Sequence, residues 1–445
     1  MIPMTNVARI FASRPNVKAT IITVPSHVNH FKPALDICPY PIHLLTIKFQ
    51  LPAHDKLVSS DLIPDRLFSD AYFEAIDSLE GPFGRLLDEH CPDCVVSSGN
   101  FPWSAALANA RCIPRLVFYG SAAITSIVMR TISGLKLTEG RSDHEPFIVP
   151  GLPHPLEFTK AQIMSSASYP GDTLARMVKA HAQSYGTVGN SSYELEPGYA
   201  SKLDKSYFIG PVALCTGDST GEGGNRDSDE YLNWLDNQKK CSVLYVCFGS
   251  IAQFSNAQLF EIATGLEASG HPFLWVVRDT GNTAEWLPEG FVERVGRRGL
   301  LVRGWIAQMS VLNHTAIGGF MTHCGWGSVL EGVSAGLPMV TWPLFSDQFV
   351  NEKLIVDVLR IGVPVGSKVN SSREKERTFV AGEMVRKAVG EVLSEDGEEA
   401  EERRKRARKA AEMSRKAVEE GGSSYNDVSK LIHELREIKK SKATR

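Results

Sequence analysis

The stretch that decides the fold runs over residues 305–348, WIAQMSVLNHTAIGGFMTHCGWGSVLEGVSAGLPMVTWPLFSDQ. Residues 316–321 have the length and composition of a buried strand. They enter the small-residue turn Thr322-His323-Cys324-Gly325-Trp326-Gly327-Ser328, after which Val329, Leu330 and Val333 recur at helical spacing. A strand that feeds a glycine turn and then a helix leaves unpaired N–H groups facing outward, and the helix dipole favours a negative ligand there. Gly325 and Gly327 permit close backbone approach, and His323 and Ser328 add side-chain donors at the same rim. The sequence therefore predicts an anion site suited to phosphate. Because the turn matches neither GxGxxG nor GxxxxGK[ST], the glycines alone do not identify the ligand.

Outward from this stretch, short β-branched or apolar runs alternate with amphipathic segments. The strand candidates are residues 19–24, 42–47, 93–97 and 115–119 in the first half, then 242–248, 273–277, 300–302, 316–321 and 339–342. Between the earlier ones, residues 67–90 carry Tyr72, Ile76, Leu79, Phe83 and Leu86 at helical spacing, with a break or restart expected at Gly81-Pro82. This βαβ alternation predicts parallel sheets covered by helices. Residues 216–230 (TGDSTGEGGNRDSDE) hold no apolar side chain and read as a linker. The expected organisation is a first α/β domain over 1–215, the linker 216–230, a second α/β domain over 231–424, and a C-terminal helix and tail over 425–445. The last helices, near residues 425–438, are expected to pack back on the first domain.

A length of 445 residues suits two to three domains, and 43% apolar with 22% charged residues is a globular composition. With 48 Lys and Arg against 51 Asp and Glu, the chain lacks the basic field that non-specific nucleic-acid binding needs. The charge run of residues 398–416 places Glu399/Arg403, Glu401/Lys405 and Glu402/Arg406 four apart with the acid first, which predicts a solvated helix face. Eight cysteines spread along the chain without a preceding signal peptide read as reduced cytoplasmic thiols. Cys91-Pro92-Asp93-Cys94 lacks a second half-site, so no metal is expected. No apolar run approaches the roughly 18 residues of a membrane span. The expectation is a cytoplasmic monomer without membrane insertion.

Residues 305–348 closely resemble the signature box of the plant secondary-product UDP-glycosyltransferases, two-domain enzymes of GT-B fold. The likeness extends to residues 243–250 (VLYVCFGS), to Phe208-Ile209-Gly210-Pro211-Val212 and to residues 8–14, and so covers practically the whole chain. It implies two Rossmann-like domains facing a cleft and a UDP-sugar, best UDP-glucose, bound as donor substrate by the second, with no cofactor and no metal. Trp305 would stack on the uracil, where one aromatic contact is worth about 1–3 kcal/mol. Gln308 and the Ile306 backbone would lie along the base, and Glu331 would accept from the ribose hydroxyls. His323, Ser328 and Ser250, with the Gly325 and Gly327 backbone, would hold the diphosphate. Asp347 and Gln348 would grip sugar hydroxyls beside Trp326, unless Asp347 merely caps the helix that follows it. The implied reaction is inverting transfer of glucose to a hydroxyl of a small apolar plant metabolite such as a flavonoid, another phenolic or a terpenoid.

Three departures from the family fall on that reaction path. The family's catalytic His sits in a Gly-His pair directly before a segment like Met1-Ile2-Pro3-Met4, so neither that His nor the strand leading to it is in the sequence. The N-terminal sheet is accordingly expected to lack its first strand. The Asp that orients this His stands where the chain has Ser98, in the run Val95 through Trp103. Gly327 occupies the position of an Asn, read as a helix N-cap where the exchange costs only a few tenths of a kcal/mol. No catalytic residue is therefore assigned. His27 and His30, which follow the first strand candidate, read as surface or loop histidines. An alternative follows: a catalytically impaired UDP-sugar-binding relative or a truncated gene product.

Overall fold

The computed structural model describes residues 2–36, 38–47, 70–164, 169, 171–214, 226–277, 285–304 and 306–443; within these, some side chains, that of His30 among them, are outside the description. In chain order the elements begin α1 (Ile2–Ala12), β1 (Ala19–Thr23), α2 (Val28–Asp36), β2 (Ile42–Thr46), α3 (Asp70–Asp77), α4 (Glu80–His90), β3 (Val95–Ser98), α5 (Trp103–Ala110) and β4 (Arg115–Tyr119). They continue with α6 (Ala123–Gly134), β5 (Pro146–Ile148), β6 (Glu157–Thr159), α7 (Thr173–Ala182), β7 (Gly186–Gly189) and β8 (Ser206–Phe208). The second half holds α8 (Arg226–Asp236), β9 (Val243–Cys247), α9 (Asn256–Ser269), β10 (Phe273–Val277), α10 (Phe291–Val295), β11 (Gly299–Arg303), α11 (Gln308–Leu312), β12 (Ile317–Thr322) and α12 (Trp326–Ser334). Last come β13 (Met339–Thr341), α13 (Gln348–Lys353), β14 (Gly362–Pro364), α14 (Gly382–Leu393), α15 (Glu398–Val418) and α16 (Ser423–Ala443). Among the described residues no helix is long and apolar enough to cross a membrane.

The chain forms two compact units, residues 1–123, 165–221 and 415–445 in the first and 124–164 with 222–414 in the second. In the first unit β3, β4, β7 and β8 make a four-stranded parallel sheet, while β1 and β2 pair separately in parallel, Ala19 opposite Ile42 through Thr23 opposite Thr46. Among the described residues no ladder joins β1 to β3, so the expected single sheet is divided. Helix α1 lays Val7 and Ile10 into one cluster with Leu116 and Phe118 of β4, and α16 adds Val428, Leu431 and Ile432 to it. The C-terminal helix is fastened there by two carboxylates. Asp427 accepts from the Phe208 backbone N–H at 2.7 Å, and Glu434 accepts from the Tyr185 hydroxyl at 2.7 Å and from that of Tyr207.

The second unit is built on a six-stranded sheet in the order β11-β10-β9-β12-β13-β14, with every pair parallel. Strands β9 and β12 are buried throughout, which is why residues 243–247 and 317–322 read as near-continuous apolar runs. The chain lays β10 and β11 on one side of β9 and β12 on the other. The strand order thus reverses between β9 and β12, the place where open α/β sheets bind ligands beyond their carboxyl ends.

Several expectations shift. The break in residues 67–90 falls at Ser78 and Leu79, and Gly81-Pro82 lies inside the first turn of α4, where proline's missing N–H leaves no helical bond unmade. Helix α8 starts at Arg226, inside the segment read as linker. Residues 124–164, assigned by sequence to the first domain, group with the second unit. The backbone of Asn370 donates to Ala161 O at 2.8 Å, its side chain to Gln162 O at 3.0 Å, and Thr125 meets Asn351 at 3.4 Å. Along α15 the acids pair mainly at other spacings, Arg404 with Glu401 at 3.2 Å and Lys405 with Glu402 at 2.9 Å. Arg403 is buried, donating to Glu391 O at 2.9 Å, so that face is not wholly solvated.

Candidate functional site

At the strand-order reversal of the second unit, the turn after β9 and the turn after β12 meet around one imidazole. Gly249 follows β9 with φ +75°, and a Cβ placed on it would stand 2.7 Å from His323 Cε1. Gly325 closes the other side, where a Cβ would collide with His323 Nε2. Only glycine leaves room for the ring at either position. Cys324 takes a left-handed φ of 62°, and its carbonyl is held by Asn351 Nδ2 at 2.9 Å. Burial pushes the His323 imidazole down to about 4, so the ring is neutral near pH 7, and its buried Nδ1 has no partner among the described residues. An orphaned buried nitrogen of this kind is costly unless a ligand or water completes it.

The helix α12 opens at this turn with Gly325 as its N-cap. Gly327 therefore stands at the second helical position rather than at the cap, which corrects the sequence reading. It is exposed, and a Cβ there would meet nothing within 4 Å, so the packing does not require glycine. Ser328 is half-buried on the first turn, Trp326 is buried beside it, and Glu331 follows Ser328 by three residues on the same helix face. Burial raises the Glu331 carboxyl, while a hydrogen bond from the Gln308 amide lowers it again. Gln308 Nε2 lies 2.5 Å from Glu331 Oε2 and 3.4 Å from Ser328 Oγ. Its other end, Oε1, accepts from the Tyr245 hydroxyl at 3.1 Å.

Ile306 is buried just before α11, and Ser250 is exposed in the turn after β9. Asp347 is the N-cap residue of α13, yet its side chain makes no capping bond; the backbone carbonyl serves Val350 and Asn351 at 3.0 Å each. Burial lifts its carboxyl to about 6. Gln348 spends its amide oxygen on the Leu344 and Phe345 N–H groups at 2.8 and 3.0 Å, which leaves the NH2 end as the group to meet a ligand. Trp305, the residue read as the uracil platform, lies outside the described residues.

The sequence reading missed Tyr245 and Asn351. Tyr245 carried a signal, since a phenol inside an all-apolar buried strand must find a hydrogen-bond partner. In the first unit, Ser98 ends β3 and accepts from the Asn100 N–H at 3.3 Å, while its carbonyl accepts from the buried Arg115 guanidinium at 3.3 Å. His27 is half-buried in the turn after β1.

A neutral imidazole, a helix N-terminus and a half-buried carboxylate one turn further on make a nucleotide diphosphate a natural ligand, and with the two α/β units they point to glycosyltransferases of the GT-B class. Residues 202–372 match the family described as UDP-glucoronosyl and UDP-glucosyl transferase. Scopoletin glucosyltransferase of Nicotiana tabacum is 40% identical over 466 residues, covering 98% of this chain and 95% of that protein. The crystal structure of Glycyrrhiza uralensis UGT73P12, complexed with glycyrrhetinic acid 3-O-monoglucuronide, superposes with a TM-score of 0.91 at 35% identity, covering 100% of this chain and 94% of that one. Phytolacca americana UGT2, complexed with UDP-2fluoro-glucose and pterostilbene, gives a TM-score of 0.79 at 25% identity over 98% and 96% of the two chains. The chain belongs to the plant UDP-glycosyltransferases and has their GT-B fold.

Proposed function

We propose that the chain binds UDP-glucose in its second unit and transfers glucose, with inversion, to a hydroxyl of a small, mostly apolar plant metabolite, a phenolic in the first instance. The observation that carries this reading is the cluster at the strand-order reversal: His323, Ser328 and the first turn of α12 around a place for the diphosphate, and Glu331 with Gln308 around a place for the ribose. Neutral His323 donates through one ring nitrogen or accepts through the other without a desolvated positive charge, so the diphosphate's charge falls to the helix dipole and backbone N–H groups. Asp347 and the NH2 end of Gln348 are the sugar-facing pair, and Ser250 closes the phosphate side. The scopoletin glucosyltransferase of tobacco supports a phenolic acceptor. The domain organisation we favour keeps residues 425–445 with the first unit, through the Asp427 and Glu434 bonds.

A second reading has its own observation. Ser98 occupies the end of β3 where the family resemblance places the carboxylate that orients the catalytic base, and a neutral serine committed to the Asn100 N–H cannot hold an imidazolium. On that reading the chain binds UDP-sugar without turnover. Calorimetric titration with UDP tests the site common to both: micromolar binding is expected, lost at least tenfold in Glu331→Ala, and undiminished binding in that variant overturns the ribose assignment. Release of UDP from UDP-glucose in the presence of a phenol panel then separates the two, turnover supporting transfer and its absence supporting binding alone.

A further inference from the structure

We infer that Tyr245 is a positioning residue for ribose recognition, anchoring the carbonyl end of the Gln308 amide whose NH2 end meets Glu331. The assignment rests on the donor-site reading above and deepens it. Tyr245 sits on β9, the strand at the centre of the reversal, with its ring fully buried and stacked on Phe320 at 5.2 Å and 17° between planes. A ring held this way gives its hydroxyl one place to be. Burial keeps the phenol far above its ordinary range, so the oxygen retains its proton and can donate. Gln308 Oε1 accepts from it at 3.1 Å, and the Cys247 thiol, two residues along β9, also lies within its hydrogen-bonding reach.

An amide has two chemically opposite ends, and a half-turn about its last bond exchanges them. With Oε1 tied to Tyr245, Nε2 reaches Glu331 Oε2 at 2.5 Å and Ser328 Oγ at 3.4 Å. The free protein thus presents at Glu331 a donor in the place where a ribose hydroxyl would donate. Turned the other way, the carbonyl would face the carboxylate, two acceptors with no proton between them. The Glu331 carboxylate disfavours that state, and Tyr245 satisfies the carbonyl end turned away from it, so the amide is held with its NH2 end on Glu331 until the ribose arrives. Tyr245 touches neither the nucleotide nor the sugar on this reading; it acts through Gln308.

The test is calorimetric binding of UDP and of 2′,3′-dideoxy-UDP to the full chain, read as the ratio of their affinities, in the wild type and in Tyr245→Phe. Losing one buried hydrogen bond is expected to lower the preference for the ribose between about two- and tenfold, while the dideoxy nucleotide keeps its affinity. A merely structural role would weaken both nucleotides alike and leave the ratio unchanged, and that result overturns the inference. If Tyr245→Phe fails to fold, Tyr245→Met removes the same hydroxyl while leaving Gln308 in place, and must lower the ratio by a similar factor. A wild-type chain that binds no UDP at all defeats the donor-site reading itself, an outcome distinct from a wild type that binds with a ratio Tyr245→Phe does not alter.

Discussion

Among the buried side chains of the second unit, Glu352 makes the clearest test of how burial sets charge. It is packed against Thr341 Oγ1 at 2.7 Å, and burial pushes its carboxyl up to about 8. Between the ordinary value near 4.5 and about 8, the folded chain keeps a proton that the unfolded chain has lost. Stability attributable to this group is therefore full below pH 4.5 and falls as pH rises through that window. His323, lowered from 6.5 to about 4, acts in the opposite sense, its stability deficit disappearing as pH rises from 4 to 6.5. Glu352→Gln keeps the shape and the bond to Thr341 without the titration. Its melting temperature should equal the wild type's at pH 5 and exceed it at pH 8; a constant difference across that range would show that Glu352 titrates normally. Residues of this kind were the hardest to read from sequence. His323, Glu331 and Gln308 were legible because one continuous stretch carries them, whereas Tyr245, 63 positions from Gln308, declared only that its hydroxyl needed some partner.

Strands and helices were legible in proportion to how far burial imposed a pattern. β9 and β12, covered on both faces, show it as unbroken apolar runs, and β10 was placed residue for residue as Phe273–Val277. β7 is Gly-Thr-Val-Gly and β8 is Ser-Tyr-Phe, too short and too poor in β-branched residues to announce themselves; only their neighbours in the sheet make them strands. α8 was hidden in a polar run because its apolar face begins at Tyr231. The same logic separates the two sheets by stability. β9 is hydrogen-bonded to β10 on one side and β12 on the other, whereas β1 has a ladder with β2 alone among the described residues. A parallel pair without further neighbours is weakly held. Native-state hydrogen exchange should therefore find the amides of residues 20–23 exchanging at least a hundredfold faster than those of 243–247. Equal protection would mean that β1 has a second partner.

On the scale of the whole chain, the two units are not two consecutive halves. The first takes in residues 415–445 from the far end, and the second takes in 124–164 from the first half. Sequence patterning finds elements but not the long-range bonds that sort them, among them those of Asn370 to Ala161 and Gln162, of Asp427 to Phe208, and of Glu434 to Tyr185 and Tyr207. The stability of the first unit consequently depends on a helix at the end of the chain. Leu431 is fully buried in the cluster with Val7, Leu116 and Val188. Replacing it by alanine should cost about 2–5 kcal/mol. The donor site proposed above draws its described residues from the second unit, so UDP at one hundred times its dissociation constant should add about 2.7 kcal/mol to that unit alone. Differential scanning calorimetry of Leu431→Ala with saturating UDP should then resolve two transitions, the lower one shifted down by the mutation and indifferent to nucleotide, the upper one raised by nucleotide and indifferent to the mutation. One transition answering to both changes would show that the units unfold together, and that the terminal helix stabilises the donor site as well as the sheet it covers.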